Sequence, residues 1–205
     1  MIQLNHADKK KKSFMYQNLQ KSKCYNTDFS GSNFDYACFR GAHMKSCLFN
    51  ACTFKGAEFV GSNLKDSQFK EAQFEYTVFE GVKLEGVDFK GAKFVNTYFV
   101  ASDVAKALNL NLSDEGISVM DEMPELELTK ELLMAFETLM LNPYVKSSRV
   151  LDTKDKKLNT VSVMILVKLF SEEKLIKAFE DIQLHLDRNF YTLSYLIKLI
   201  EKIVK

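Results

Sequence analysis

The chain has 205 residues, 46% hydrophobic and 27% charged, a composition that supplies ample core material for a globular fold. A formal net charge of +1 excludes a strongly acidic or basic protein as a whole. The longest apolar run, Val161 to Phe170, is interrupted by Lys168 and is too short to span a bilayer; no apolar secretory segment stands at the N-terminus, so the expectation is a cytoplasmic chain with no membrane partner.

In chain order, residues 1–13 read as a basic leader or N-terminal cap, with Lys9–Lys12 as a solvated run. At Phe14 a five-residue period begins. Phe14, Leu19, Cys24, Phe29, Phe34, Phe39, Met44, Phe49, Phe54, Phe59, Leu64, Phe69, Phe74, Phe79, Leu84, Phe89, Phe94, Phe99 and Val104 are nineteen consecutive apolar centres. Of the 17 Phe, 13 fall in this register, and the remaining four lie beyond it in the C-terminal half. Two residues before each centre, from Ser22 to Ser102, stand only Ser, Thr, Ala, Cys and Val. Seven of the eight glycines stand two residues after a centre. A period of five fits neither the 3.6 of a helix nor the 2.0 of a strand. It demands a chain that turns a corner every five residues, with one large and one small side chain inside per segment. Glycine after the centre suits a turn of positive φ.

Segments such as Gly31-Ser32-Asn33-Phe34, Gly61-Ser62-Asn63-Leu64 and Val87-Asp88-Phe89-Lys90-Gly91 resemble the pentapeptide-repeat family motif: a small residue, Asp or Asn, Leu or Phe, then two variable positions. The resemblance implies a right-handed, four-sided β-helix over residues 14–106, four pentapeptides per coil. Sorting the centres by 20 supports four sides independently. Three sides carry Phe, and the side Cys24, Met44, Leu64, Leu84, Val104 carries none. Nineteen units make a little under five coils, a rod about 23 Å long at the spacing of stacked strands.

Beyond Val104 the spacing becomes helical, so residues 107–205 are expected to form a small α-helical bundle. A weak helical segment is expected over 113–123, with residues near 105–123 capping the rod. Thr129 precedes a helix carrying Leu132, Phe136 and Leu139, which Asn142-Pro143 ends. Residues 143–158 read as a polar loop. Further helices follow from about Thr160, after Ser171, and from Thr192. Their apolar stripes serve a bundle core, or leave one stripe for homodimerisation or partner recruitment.

No phosphate loop, nucleophile elbow or metal-ligand spacing is present, so neither an enzyme nor a cofactor is expected. The four cysteines read as small core residues. Candidate binding residues are Lys23, His43, Lys45, Lys65 and Lys83 on the Phe-free side, with Tyr36 and Tyr76 in one aromatic column broken by Gly56. Lys70 and Lys90 fall on the neighbouring side. The expected role is a non-catalytic protein-interaction scaffold, with nucleic acid an unfavoured partner. The resemblance also implies an alternative, since the family's best-understood members mimic duplex DNA and protect a type II topoisomerase from quinolones. Residues 1–106 carry 15 Lys and Arg against 11 Asp and Glu, and that positive rod opposes the acidic surface mimicry needs.

Overall fold

A computed structural model of the chain describes residues 2–205 and resolves two compact units, Met1–Glu122 and Met123–Lys205. The first is a right-handed, four-sided β-solenoid of about six turns. Its strands are β1 (Gln3–Asn5), β2 (Lys23–Tyr25), β3 (His43–Lys45), β4 (Thr53–Lys55), β5 (Glu58–Val60), β6 (Gln73–Glu75), β7 (Val78–Glu80), β8 (Lys93–Val95), β9 (Thr97–Val100) and β10 (Ile117–Met120). All pair in parallel at an offset of twenty residues. Leu4 faces Cys24 and Cys24 faces Met44; Phe54 faces Phe74 and Phe74 faces Phe94; Phe59, Phe79, Phe99 and Val119 continue a third side. The fourth side is held by single bridges, Asp8 to Asp28, Leu48, Gln68, Asp88 and Leu108 in turn.

The five-residue unit follows from where its backbone hydrogen bonds go. In the unit around Phe49, Leu48 N–H donates to the Thr27 carbonyl (3.0 Å), Phe49 N–H to Gln68 (2.7 Å) and Ala51 N–H to Lys70 (2.8 Å). The carbonyl of the centre itself turns into the corner, and there the small residue acts. Ser67 Oγ donates to Met44 O (2.5 Å), Thr77 Oγ1 to Phe54 O (2.6 Å) and Cys52 Sγ to Phe29 O (3.1 Å), each reaching back 23 residues. Small size admits the residue, and its hydroxyl or thiol satisfies a carbonyl of the preceding coil. Every corner from His6 to Ala101 is left-handed, with φ between +46° and +71°, yet only seven are glycine. A non-glycine residue in that region costs on the order of 1–2 kcal/mol. The corner N–H bond to the next coil and the packed interior offset it.

Inside, phenylalanines stack along three sides. Phe39–Phe59, Phe59–Phe79 and Phe79–Phe99 centroids lie 4.4, 4.8 and 4.6 Å apart with nearly parallel rings, and neighbouring columns meet edge-on or tilted. Each buried Phe contributes on the order of 1.5–3 kcal/mol, an upper estimate because the unfolded chain is not fully extended.

The solenoid runs further than the apolar register indicates at both ends. The leader expected over 1–13 is instead the first coil: β1 pairs with β2, and Lys9 N–H donates to Asp28 O at 2.7 Å, the bond made by Phe29, Phe49 and Phe69 in later coils. Lys9 therefore holds a centre position. An end coil needs its centre only half covered, which a lysine satisfies by laying its stem on apolar surface with the ammonium in water. At the other end the expected helix over 113–123 is a turn followed by β10, which adds to β9 as one more rung. Gly116 sits in that turn because a Cβ there would overlap the Phe94 carbonyl oxygen.

The second unit holds α1 (Lys130–Leu139), α2 (Pro143–Ser148), α3 (Thr160–Leu169), α4 (Glu172–His185) and α5 (Leu193–Val204). Thr129 caps α1 by accepting from Leu132 N–H. Asn142 caps α2, and Asn159 caps α3. Residues 143–148, expected as loop, are helical because a proline at the first helical position lacks only a donor that would be orphaned anyway. α4 packs against α1, α3 and α5, and Phe136 meets Phe179 at 4.9 Å.

Candidate interaction surface

Outward side chains of the solenoid form columns, each residue facing its counterpart twenty positions on. Lys23 and His43 are neighbours in β2 and β3; His43 faces Asn63, which faces Lys83. In the next column Lys45 faces Tyr25. Lys65 Nζ lies 2.9 Å from Glu85 Oε1, and that hydrogen bond raises the lysine's pKa and lowers the carboxyl's. The Phe-free side thus displays Lys23 and Lys83 with His43 and Asn63 between them, beside a column that holds Lys45 and ends in the Lys65–Glu85 ion pair.

Lys70 and Lys90, expected as stacked like charges, are separated electrically because Lys70 Nζ reaches Asp88 at 3.4 Å. Among the aromatic candidates, Tyr36 stacks on Tyr16 at 4.9 Å, while Tyr76 stands two coils away across Gly56. Lys55 beside them is hydrogen-bonded to Glu75 at 2.7 Å, which raises its pKa.

The cysteines are all free and buried. Burial pushes the Cys38 thiol up to about 11 and those of Cys47 and Cys52 up to about 12. Such thiols are protonated and unreactive at neutral pH. Among the described residues no group of His, Cys, Asp and Glu is placed to hold a metal ion, and no helix is long and apolar enough to cross a membrane.

Charge is segregated along the solenoid axis, which side-by-side sorting does not reveal. The first coil and the start of the second carry Lys9, Lys10, Lys11, Lys12, Lys21 and Lys23 with Asp8 as the single acid; residues 103–122 carry Asp103, Asp114, Glu115, Asp121 and Glu122 with Lys106 as the single base. Over the whole unit, Met1–Glu122, 15 Lys and Arg meet 15 Asp and Glu. The positive balance expected over 1–106 is cancelled by the acidic last coil.

A coil of four five-residue sides, each with a small residue, a large or apolar centre (phenylalanine on three of the sides) and a left-handed corner, defines the unit as a quadrilateral β-solenoid. Residues 22–99 match the family model described as pentapeptide repeat region. Residues 22–99 of the solenoid are thus a pentapeptide repeat region. Similar solved structures include HetL, a pentapeptide repeat protein involved in heterocyst differentiation regulation from the cyanobacterium Nostoc sp. strain PCC 7120. It shows 16% identity over 49% of this chain and 45% of that one, with a TM-score of 0.33. Rfr23 from the cyanobacterium Cyanothece 51142 shows 12% identity over 58% and 84%, with a TM-score of 0.35. QnrB1, a plasmid-mediated fluoroquinolone resistance protein, shows 16% identity over 49% and 59%, with a TM-score of 0.29. The chain spans under half of HetL's length. No curated protein matches the sequence.

Proposed function

We propose that the chain is a non-catalytic protein-interaction scaffold whose solenoid displays ordered columns of side chains to a protein partner. The observation that carries this reading is the filled interior. Phe34, Phe39, Phe49, Phe54, Phe59, Phe69 and Phe79 are fully buried against one another, so recognition falls to the outward columns. The basic first coils and the row Lys23, His43, Lys45 suit an acidic partner surface, because like-signed charges at one end steer association and set orientation. DNA mimicry toward a type II topoisomerase ranks below it, since a unit of balanced charge lacks the continuous acidic surface of a duplex.

Affinity capture from the native host with the wild type and with a Lys45→Glu, Lys65→Glu double variant tests the reading. Loss of partners from the variant is the expected result, and an unchanged partner set means the row is only solvated. A gyrase supercoiling assay with quinolone separates the second reading; protection of the enzyme would promote mimicry over the scaffold.

A further inference from the structure

The helical unit carries an unfilled apolar groove of its own. It lies between α1 and α4, has a volume of about 630 Å³, and is lined by Met134, Ala135 and Leu139 from one helix and Ile176, Phe179 and Leu184 from the other. Met134 is 62% and Leu184 78% exposed. Large side chains this exposed at the mouth of a groove mark a contact surface rather than ordinary solvated residues. Methionine at the lip suits a surface that adapts to its ligand.

Charge selects the occupant. The ionisable groups in the lining are Glu131 and Glu180, both acidic. Glu172 and Glu173 extend the same row of α4 by one turn, with Glu172 Oε1 accepting from Thr129 Oγ1 at 2.5 Å. Lys174 and Lys177 lie on α4 but outside the lining. The groove between α4 and α5 has the opposite character, lined by Arg188, Lys198 and Lys202 beside Asp181 and Asp187. A second copy of this chain is a poor occupant: its basic amphipathic helix, α5, already buries Leu193, Leu196 and Ile200 in its own unit.

We propose that the α1–α4 groove docks an amphipathic helix of a partner protein. That helix presents two or three long apolar side chains at i, i+4 and i+7, flanked by Lys or Arg, in the helix-in-groove mode. The proposal rests on the scaffold reading but uses a surface separate from the solenoid columns.

The test titrates the full-length chain into a fluorescein-labelled helical peptide carrying Leu at i, i+4 and i+7 between lysines, read by anisotropy. Saturable, salt-sensitive binding is expected, weakened at least about tenfold by Met134→Glu or by Leu184→Asp, because truncated or charged anchors dominate such interfaces. Both positions are exposed, so these variants keep the fold, checked by circular dichroism. The Glu131→Lys, Glu180→Lys double variant is expected to lose this peptide and gain a glutamate-flanked peptide of the same apolar spacing. The proposal is overturned if the glutamate-flanked peptide binds the wild type equally well. It is also overturned if Met134→Glu leaves binding unchanged, or if no binding appears at millimolar protein. Light scattering showing a wild-type dimer that Met134→Glu dissociates would reassign the groove to a second copy. None of these outcomes alters the capture experiment on Lys45 and Lys65, so the solenoid reading stands or falls separately.

Discussion

Phe54 is the position at which the packed interior makes its strongest demand. Its ring stacks on Phe34 and Phe74 at 5.3 and 5.1 Å and meets Phe39, Phe49, Phe59 and Phe69 between 5.5 and 6.2 Å. Truncation to alanine in a core costs about 3–5 kcal/mol, the larger values where the surroundings relax least. Here the surroundings are walls tied by hydrogen bonds to the coils on either side, so Phe54→Ala belongs at the upper end. Phe14 provides the internal control. It stands in the first coil, is only partly buried, and contacts two rings, Phe29 at 5.6 Å and Phe34 at 4.7 Å. Its truncation is expected to cost about half as much, because the cavity opens to solvent instead of being sealed. Urea unfolding gives the overall loss. Amide hydrogen exchange on peptides covering residues 40–75 isolates the solenoid from the helical unit, whose own signal dominates far-ultraviolet circular dichroism. Equal losses for Phe54→Ala and Phe14→Ala, within about 0.5 kcal/mol, would refute a sealed interior that rises in rigidity toward the middle.

Gly61, at φ +59° with open space around a would-be Cβ, isolates backbone strain: Gly61→Ala is expected to cost about 1 kcal/mol by urea midpoint, and Ala51→Gly, at φ +54°, to cost nothing or stabilise. Gly116→Ala is expected to protect β10 less from amide exchange while leaving β5 and β7 unchanged, since the added Cβ meets the Phe94 carbonyl and, less closely, Asp114. With the Cys47 and Cys52 thiols pushed up to about 12 by burial, native protein at pH 8 is expected to resist a disulfide reagent that labels all four cysteines in urea; prompt native labelling would contradict their placement. Burial raises the Asp28 carboxyl's pKa, but hydrogen bonds from Ser30 and Lys10 outweigh it and leave the group below its ordinary value. Its contribution is therefore complete above the unfolded pKa of about 3.9 and lost as pH falls through the lower folded value. Protection of the first two coils is expected to fall below about pH 4, and Asp28→Asn to flatten that fall.

The solenoid was legible because its constraint repeats. A centre must be large and apolar, the residue two before it must be small, and both rules recur at nearly every unit between Phe14 and Ser102. The ends were not legible for the same reason. Lys9 breaks the apolar register although its backbone keeps it, and the stretch from Leu108 to Gly116 loses the left-handed corner at every fifth residue while the offset of twenty holds on both sides of it. Corners were half legible: glycine betrays seven, while Tyr16, Asp66 and Ala101 adopt the same φ with no compositional sign. In the helical unit the cap at Thr129 could be read from its side-chain chemistry, but α2 and its Asn142 cap were hidden because Asn142-Pro143 reads as a stop.

Outward positions obey no such rule, and this is why the surface had to be read from pairings instead of residue types. The pairings nonetheless have a sequence form. Lys55–Glu75 and Lys65–Glu85 join residues twenty apart, directly stacked in one column; Lys10–Asp28 and Lys70–Asp88 join residues eighteen apart, across a strand centre into the next coil. Scanned at those two spacings, a lysine with no acid partner stands out from one that has it, and Lys65 and Lys70 separate from Lys23 and Lys45. A column of exposed pairs contributes little stability, so its persistence in register serves to cancel charge rather than to hold coils together. What is left after cancellation lies at the ends: lysines in the first coil, carboxylates in the last. For a partner that recognises this solenoid electrostatically, the polarity along the axis adds to the unpaired lysines of the Phe-free side in setting orientation.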